Sequence, residues 1–241
     1  ELNMDTLSKA HWEVHDENSD YAAHPVDGKI NVLVFGNSHA VDFFDGLFLR
    51  KENYEGFHFM KIRGSEELSC FNNRDDRFVD VRREFYESEP YRSADLIVVA
   101  TRFKDESCDR KIKGGIEPND FVGLSCLVDQ IERDGKSTII VNNTAEIDSI
   151  EGRIVSDHVY LEALRQKKFG PEDFGNMKDE AERLAYKMVS KQKLEVNRKI
   201  GKFCKERDLI CFDRFPTMCS HVEMRCSVFD ANGFKIRFDY G

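Results

Sequence analysis

The sequence predicts an α/β domain built on a doubly wound parallel sheet of about five strands in flavodoxin-like order. Two patterns predict it. Short apolar runs alternate along the chain with longer segments whose apolar residues recur every three or four positions. The first pattern is typical of buried strands and the second of helices that cover a sheet. Strands that alternate with helices imply parallel pairing, with helices on both faces of the sheet.

The first half of the chain supplies three predicted strands and two predicted helices. Lys29–Gly36 is a short apolar run that ends in glycine, and Ala94–Arg102 is a longer apolar run, so both are predicted to be buried strands. Phe57–Arg63 is the strand predicted between them. His39–Glu52 carries its apolar residues on one helical face, and Arg74–Glu87 is also predicted to be helical.

The second half alternates in the same way. Asp120–Arg133 is predicted to be the next helix, and the aspartate–glycine pair directly after it is a typical C-terminal stop. Ser137–Asn143 and Leu209–Phe215 are the fourth and fifth predicted strands. Asn176–Arg207 is predicted to be one long helix, since its apolar residues recur at spacings of three and four.

Two segments do not fit the alternation. Residues 1–28 form a polar lead-in, and residues 146–175 form a charged, partly helical insertion after the fourth strand. We therefore expect a single domain over residues 29–241 that carries this insertion. The chain begins with Glu1 rather than methionine, and we expect it to be a piece of a longer protein that is truncated at its C-terminus.

Composition excludes some functions. The 36 basic and 45 acidic residues give a net charge of −9, so the chain has no basic field with which to displace phosphate counterions, and we expect no nucleic-acid partner. It also has no apolar run of about 18 residues, the length that a membrane-spanning helix needs.

The seven cysteines do not form a metal-binding pattern. They include no C-x-x-C pair and no cysteine–histidine cluster, so we expect no metal site. Cys126 and Cys204 lie within helical patterns and are expected to be buried thiols. Six residues separate Cys219 from Cys226, and from the residues alone this pair is as consistent with a small disulfide loop as with two free thiols.

The turn after the first strand is where chemistry is expected, because ligands of open parallel sheets bind beyond the carboxyl ends of the strands. Here the sequence is Gly36-Asn37-Ser38-His39-Ala40. The glycine permits a tight strand-to-helix turn, and the serine then lies where free N–H groups and the helix dipole favour an oxyanion. The alternative is that Asn37 or Ser38 only caps the helix.

The segment VLVFGNSHA resembles the first block of SGNH hydrolases. Its Ser-His-Ala continuation resembles the SGNH domains attached to multi-spanning membrane O-acyltransferases that acetylate bacterial surface polysaccharides. The resemblance implies that Ser38 is the nucleophile. Asn37 stands where aspartate is commoner in the family, and we include it among the candidate oxyanion and substrate-binding residues. His39 belongs to this block and is not expected to be the general base.

The end of the chain resembles the closing segment of the same family, in which a cysteine pair precedes a turn, a short strand and then Asp-x-x-His. Cys219 and Cys226 match the cysteine pair, which the resemblance implies is a disulfide. Asp239 matches the aspartate that orients the catalytic histidine. The histidine is then expected at position 242, one residue beyond Gly241.

The middle blocks imply the remaining oxyanion donors. Gly64 follows the second predicted strand, where the family has a glycine whose backbone N–H contributes to the oxyanion hole; the alternative is that this glycine only ends the strand. Arg102 lies after the third predicted strand, where many relatives have Gly-x-Asn and the membrane-fused subgroup often has an arginine followed by an aromatic residue. Its guanidinium either donates to an alkoxide or a sugar, or pairs with a surface carboxylate.

The resemblance implies two-step acyl transfer, in which Ser38 accepts an acetyl group and passes it to a glycan hydroxyl. The domain would bind no cofactor itself; acetyl-CoA is the implied ultimate donor, through the membrane acyltransferase domain of the same protein. The implied location is extracytoplasmic. Two alternatives stay open: a stand-alone carbohydrate esterase with the same triad and water as acceptor, and a catalytically silent binding module.

The implied triad predicts a difference between two lengths of the protein. A serine hydroxyl without a base is a poor nucleophile at neutral pH, so the 241-residue chain should hydrolyse an acetyl ester very slowly. A form that continues about thirty residues further, which is roughly the length of a turn and a covering helix, should be active. Robust turnover by the 241-residue chain would mean that another histidine is the base, with His39 the first to be tested.

Overall fold

The structure is a computed structural model that describes residues 24–63, 79–103, 120–167 and 170–229. The chain divides into two compact units. The first comprises residues 1–142 and 201–212, and the second comprises residues 143–200 and 213–241. No helix in the described ranges is long and apolar enough to cross a membrane.

The first unit is built on a parallel sheet whose five strands follow the prediction. They are β1 (Ile30–Gly36), β2 (Phe57–Arg63), β3 (Leu96–Ala100), β4 (Ser137–Val141) and β5 (Ile210–Phe212). Their order in the sheet is β2-β1-β3-β4-β5, and each neighbouring pair is parallel. The predicted doubly wound, flavodoxin-like fold is therefore confirmed. Six of the seven residues of β1 are buried, as expected for a strand covered on both faces.

The described helices are α1 (Ser38–Phe48), α2 (Val79–Glu87), α3 (Glu89–Ser93), α4 (Asp120–Arg133), α5 (Val155–Arg165), α6 (Pro171–Lys187) and α7 (Lys191–Glu206). Helix α1 packs its buried face on the sheet through Ala40, Phe44 and Phe48. These residues recur at spacings of four, which places them on one helical face. Helix α1 ends at Phe48, four residues before the predicted end, and a short 3₁₀ turn follows at Lys51–Asn53.

Gly36 ends β1 with a φ of +149°, which L-residues with side chains rarely adopt. A Cβ atom built at this position would lie 2.0 Å from the carbonyl oxygen of Ala100, at the end of β3. Glycine is therefore required by space as well as by backbone conformation. The chain leaves β1 pressed against the end of β3, and this contact fixes where α1 begins.

The second unit contains a core of its own, to which α5 and α6 contribute Val155, Val159, Ala181 and Ala185. The predicted single helix over Asn176–Arg207 is wrong, because the structure has two helices, α6 and α7. Between them, residue 189 forms an antiparallel bridge with Ile147. The backbone N–H of Ser190 donates to the carbonyl of residue 146 over 2.9 Å. These hydrogen bonds take the place of those that a continuous helix would make.

The last strand is shorter than predicted. β5 ends at Phe212, whereas the apolar pattern continues to Phe215. Phe215 instead begins a 3₁₀ turn, where its backbone N–H binds the carboxylate of Asp213 over 3.0 Å. Apolar residues in a turn and in a strand look alike in sequence, and a local side-chain hydrogen bond decides between them.

Two disulfides are present among the described cysteines. One joins Cys204 to Cys211, so the prediction that Cys204 is a buried thiol is wrong. Cys204 lies on α7 and Cys211 on β5, and helix-to-strand proximity of this kind cannot be inferred from a spacing of seven. The other joins Cys219 to Cys226 across the two-stranded hairpin of β6 (Cys219–Ser220) and β7 (Arg225–Cys226). Cys126 is free and partly exposed.

Gly36→Ala is expected to lower the free energy of unfolding by about 3 kcal/mol or more, because the new methyl group has to displace the backbone of β3. Gly46→Ala is the matched control, since Gly46 lies in α1 and a methyl group there would meet no atom of another segment within 4 Å. It should stabilise the protein by about 0.5–1 kcal/mol. Urea denaturation measures both, and equal effects of the two substitutions would contradict the close approach.

Replacing both Cys219 and Cys226 by alanine is expected to lower the free energy of unfolding by about 2 kcal/mol, because a cross-link over a short loop limits the unfolded chain.

Mass spectrometry of unreduced peptides should find Cys219 and Cys226 joined in protein made under oxidising conditions. Cys126→Ala is the control and should leave the peptide map otherwise unchanged. Free thiols at positions 219 and 226 in such material would overturn the expectation.

Candidate active site

Ser38 is the first residue of α1 and is exposed at the carboxyl end of β1. The residues around it are much less accessible: Gly36 is buried, Asn37 is half-buried and the His39 side chain is only 2% exposed. The N–H groups of the first turn lie at the positive end of the helix dipole, and no acidic residue lies in this turn of α1. The serine hydroxyl is therefore accessible at a position that favours negative charge.

The side chain of Asn37 binds both the start of α1 and the segment that follows β3. Its side-chain Oδ1 accepts the backbone N–H of His39 over 3.1 Å and the backbone N–H of Arg102 over 3.2 Å. Its backbone carbonyl accepts the N–H groups of Ala40 and Val41 over 2.9 and 3.3 Å. The helix cap that was an alternative role for this residue is thus formed, and the same oxygen also binds a residue that is distant in sequence.

Arg102 lies two residues beyond the end of β3 and is half-buried, between the buried residues Thr101 and Phe103. Its backbone hydrogen bond to Asn37 places it beside the turn that carries Ser38. The structure therefore brings three of the predicted site residues together at one edge of the sheet: Asn37, Ser38 and Arg102. The two others, Gly64 and Asp239, lie outside the described residues.

The comparison with known families agrees with this geometry. The family model described as "SGNH domain (fused to AT3 domains)" matches residues 8–239, which is nearly the whole chain. The chain belongs to this family. The resemblance that the first and last blocks of the sequence suggested is thereby confirmed, and the five-stranded parallel sheet is the sheet of an SGNH hydrolase-like domain.

Two solved structures resemble this SGNH domain. One is a proposed acylhydrolase from Bacteroides fragilis, 11% identical, with a TM-score of 0.44 over 98% of this chain and 89% of that one. The other is a GDSL-like lipase from Bacteroides thetaiotaomicron, 14% identical, with a TM-score of 0.43 over 93% of this chain and 88% of that one. The comparison with curated proteins finds no match.

Two of the three histidines described in the first unit, His39 and His58, are buried. His39 is buried, and its backbone N–H is bound by Asn37. His58 is buried in β2, with its Nε2 atom 2.8 Å from the backbone carbonyl of His24. The ring of His24 in turn lies 3.1 Å from the carboxylate of Glu89. His58 and His24 thus fasten the chain before β1 to the sheet and to α3.

The second unit contains two further described histidines. His158 is half-buried on α5. His221 stacks on Phe215 with ring centroids 4.3 Å apart, and its Nδ1 atom lies 2.8 Å from the hydroxyl of Tyr186. Within the described ranges, no three histidine, cysteine, aspartate or glutamate side chains are grouped as a metal site would require.

The charged side chains that pack beside α1 have opposite signs. Burial lowers the pKa of Lys61 on β2, and the negative charge of Asp45 on α1 opposes this effect. Asp45 is itself buried, and the ammonium of Lys61 lies 5.1 Å from the ring of Phe44.

Cavity volume alone does not locate this site. A shallow cavity of about 690 Å³ lies at the opposite edge of the sheet, where the amino ends of the strands contribute Lys29, Asp95 and Ser137. In open parallel sheets, chemistry is found at the carboxyl edge. The position of Ser38 at the carboxyl edge, and the hydrogen bonds of the neighbouring Asn37, therefore locate the site better than the cavity does.

The sequence contained one signal of the link between Asn37 and Arg102, although it is visible only in retrospect. A glycine that ends a buried strand permits a neighbouring strand to approach closely, and Gly36 approaches Ala100. An amide side chain directly after that glycine lies within reach of the turn that follows β3. The sequence does not specify which backbone N–H group it binds.

Proposed function

We propose that this SGNH domain transfers an O-acyl group, most simply acetyl, to a glycan hydroxyl through a covalent ester on Ser38. The single observation that supports it is the exposure of Ser38 at the first turn of α1, in a backbone frame held by Gly36 and Asn37. An exposed hydroxyl in a rigid turn at a helix amino end is what an acyl-accepting nucleophile requires.

The proposed reaction has two steps. Ser38 Oγ attacks the carbonyl carbon of the acyl donor and its proton passes to the histidine expected at position 242, which gives that proton to the leaving oxygen or sulfur of the donor as the bond to the acyl carbon breaks. A sugar hydroxyl then attacks the acyl-serine and loses its proton to the same histidine, which returns a proton to Ser38 Oγ as the ester bond to the serine breaks. Asp239 would orient that histidine, and the N–H groups of Ser38 and Gly64, with Arg102, would stabilise the negative oxygen of each tetrahedral intermediate.

The proposed location is outside the cytoplasm. Disulfides persist in oxidising compartments and are rare in the cytosol, and the described part of the chain contains two, Cys204–Cys211 and Cys219–Cys226. The family consists of SGNH domains fused to AT3 domains. We propose that an acyl group derived from acetyl-CoA reaches Ser38 through such a membrane acyltransferase domain.

Ser38→Ala, made in the full-length natural protein, is expected to reduce acyl transfer by about a thousandfold or more, because triad residues act as a unit. The free energy of unfolding should change by at most about 1 kcal/mol, because Ser38 is exposed and the cap of α1 is made by Asn37. Transfer of radiolabelled acetyl groups and labelling by a fluorophosphonate measure the loss.

The control for this substitution is Ser137→Ala, at the opposite edge of the sheet, which should retain full activity and labelling. More than a tenth of the wild-type activity in Ser38→Ala would refute the nucleophile assignment. The acceptor is tested in the same assay by adding oligosaccharide. Acetylated sugar in excess of free acetate supports transfer, whereas acetate alone would make the protein an esterase.

A further inference from the structure

We propose that Asn37 is a positioning residue that fixes the Ser38 turn against the turn after β3. This inference rests on the proposed role of Ser38. The Oδ1 atom of Asn37 accepts two hydrogen bonds, one from the N–H of His39, which caps α1, and one from the N–H of Arg102, which we call the link. We assign the positioning of Ser38 to the link and not to the cap.

The two hydrogen bonds define which atom of the Asn37 amide faces the protein. Two backbone N–H groups converge on one side-chain atom, at 3.1 and 3.2 Å. Only an oxygen can accept both, and its two lone pairs are then both used. The amide orientation is thereby set, with the NH₂ group directed away from these two donors. The role that the geometry supports for Asn37 is acceptance by Oδ1.

The link to Arg102 acts on the nucleophile through the backbone. Ser38 lies between Asn37, whose side chain is bound to the turn after β3, and His39, whose N–H is bound to the same side chain. Gly36 lies on the other side of Asn37, pressed against Ala100 at the end of β3. The turns after β1 and β3 are thus joined at two neighbouring points. A displacement of about 1 Å at a reacting atom can reduce a rate a hundredfold.

Three substitutions separate the link from the cap. Asn37→Asp retains an oxygen that can accept both N–H groups. Asn37→Ser retains a good cap for α1, but its hydroxyl is one bond shorter and cannot also span to Arg102. Asn37→Leu has a similar size and accepts neither hydrogen bond. If the link positions Ser38, the kcat should be high with Asn or Asp at position 37 and low with Ser or Leu. The melting temperature should fall most in the Leu variant, which loses both hydrogen bonds, and less in the Ser variant, which loses only the one to Arg102.

The measurements are the kcat and KM for an activated acetyl ester, the rate at which a fluorophosphonate labels Ser38, and the melting temperature, all in the full-length natural protein. Asn37→Ser should lower the kcat and the labelling rate about tenfold or more, with KM unchanged within about twofold. Asn37→Asp should restore both rates to within about threefold of wild type. Ser88→Ala, which removes the cap of α3, is the control and should leave both rates unchanged.

Each other outcome overturns the inference. Wild-type kcat in Asn37→Ser would mean that the cap alone matters, and a loss in Asn37→Asp as large as in Asn37→Leu would mean that the amide N–H groups matter. If Asn37→Leu does not fold, the Ser and Asp variants still decide between these outcomes. Ser38→Ala in the same assay separates the two proposals, because activity in that variant would refute the nucleophile without depending on Asn37.

Discussion

The close approach of β1 to β3 is the constraint on which the candidate site depends. Space at Gly36 is so limited that a methyl group would overlap the carbonyl oxygen of Ala100. Because the chain leaves β1 at this point and begins α1 two residues later, the same contact determines where the amino end of that helix lies. The hydrogen bond from Arg102 to Asn37 is possible only because the two strand ends are this near.

Much of the fold could be predicted from the sequence because buried strands and covering helices have different periodicities. The five strands and their flavodoxin-like order were predicted, and β2 and α4 begin and end where the pattern placed them. The break between α6 and α7 could not be predicted, because residues 188–190 have an ordinary helical pattern and are drawn out of the helix by pairing with a segment about forty residues earlier. The Cys204–Cys211 disulfide could not be predicted either, because it forms only where β5 brings Cys211 next to Cys204 on α7.

The candidate site was predicted to a different extent for each residue. Ser38 was found from a strand–glycine–serine–helix pattern, and the resemblance to a family gave it a role that the pattern alone left open. The oxyanion or substrate-binding role of Asn37 stays a prediction, and the structure shows its side-chain oxygen bound to two backbone N–H groups. A side-chain hydrogen bond to a distant backbone has no period and no spacing in sequence, so it cannot be inferred without coordinates. Gly64 and Asp239 remain predictions.

The division of the first unit into two stretches of sequence has a consequence for folding during synthesis. Strand β4 ends at Val141 and its neighbour β5 begins at Ile210, so residues 143–200 emerge before the sheet can be completed. Until then the far side of β4 is an open edge, which can pair with the wrong partner. Sheets that close through such distant contacts form slowly. The Cys204–Cys211 bridge ties the end of α7 to β5, so the last strand can dock together with the end of this helix.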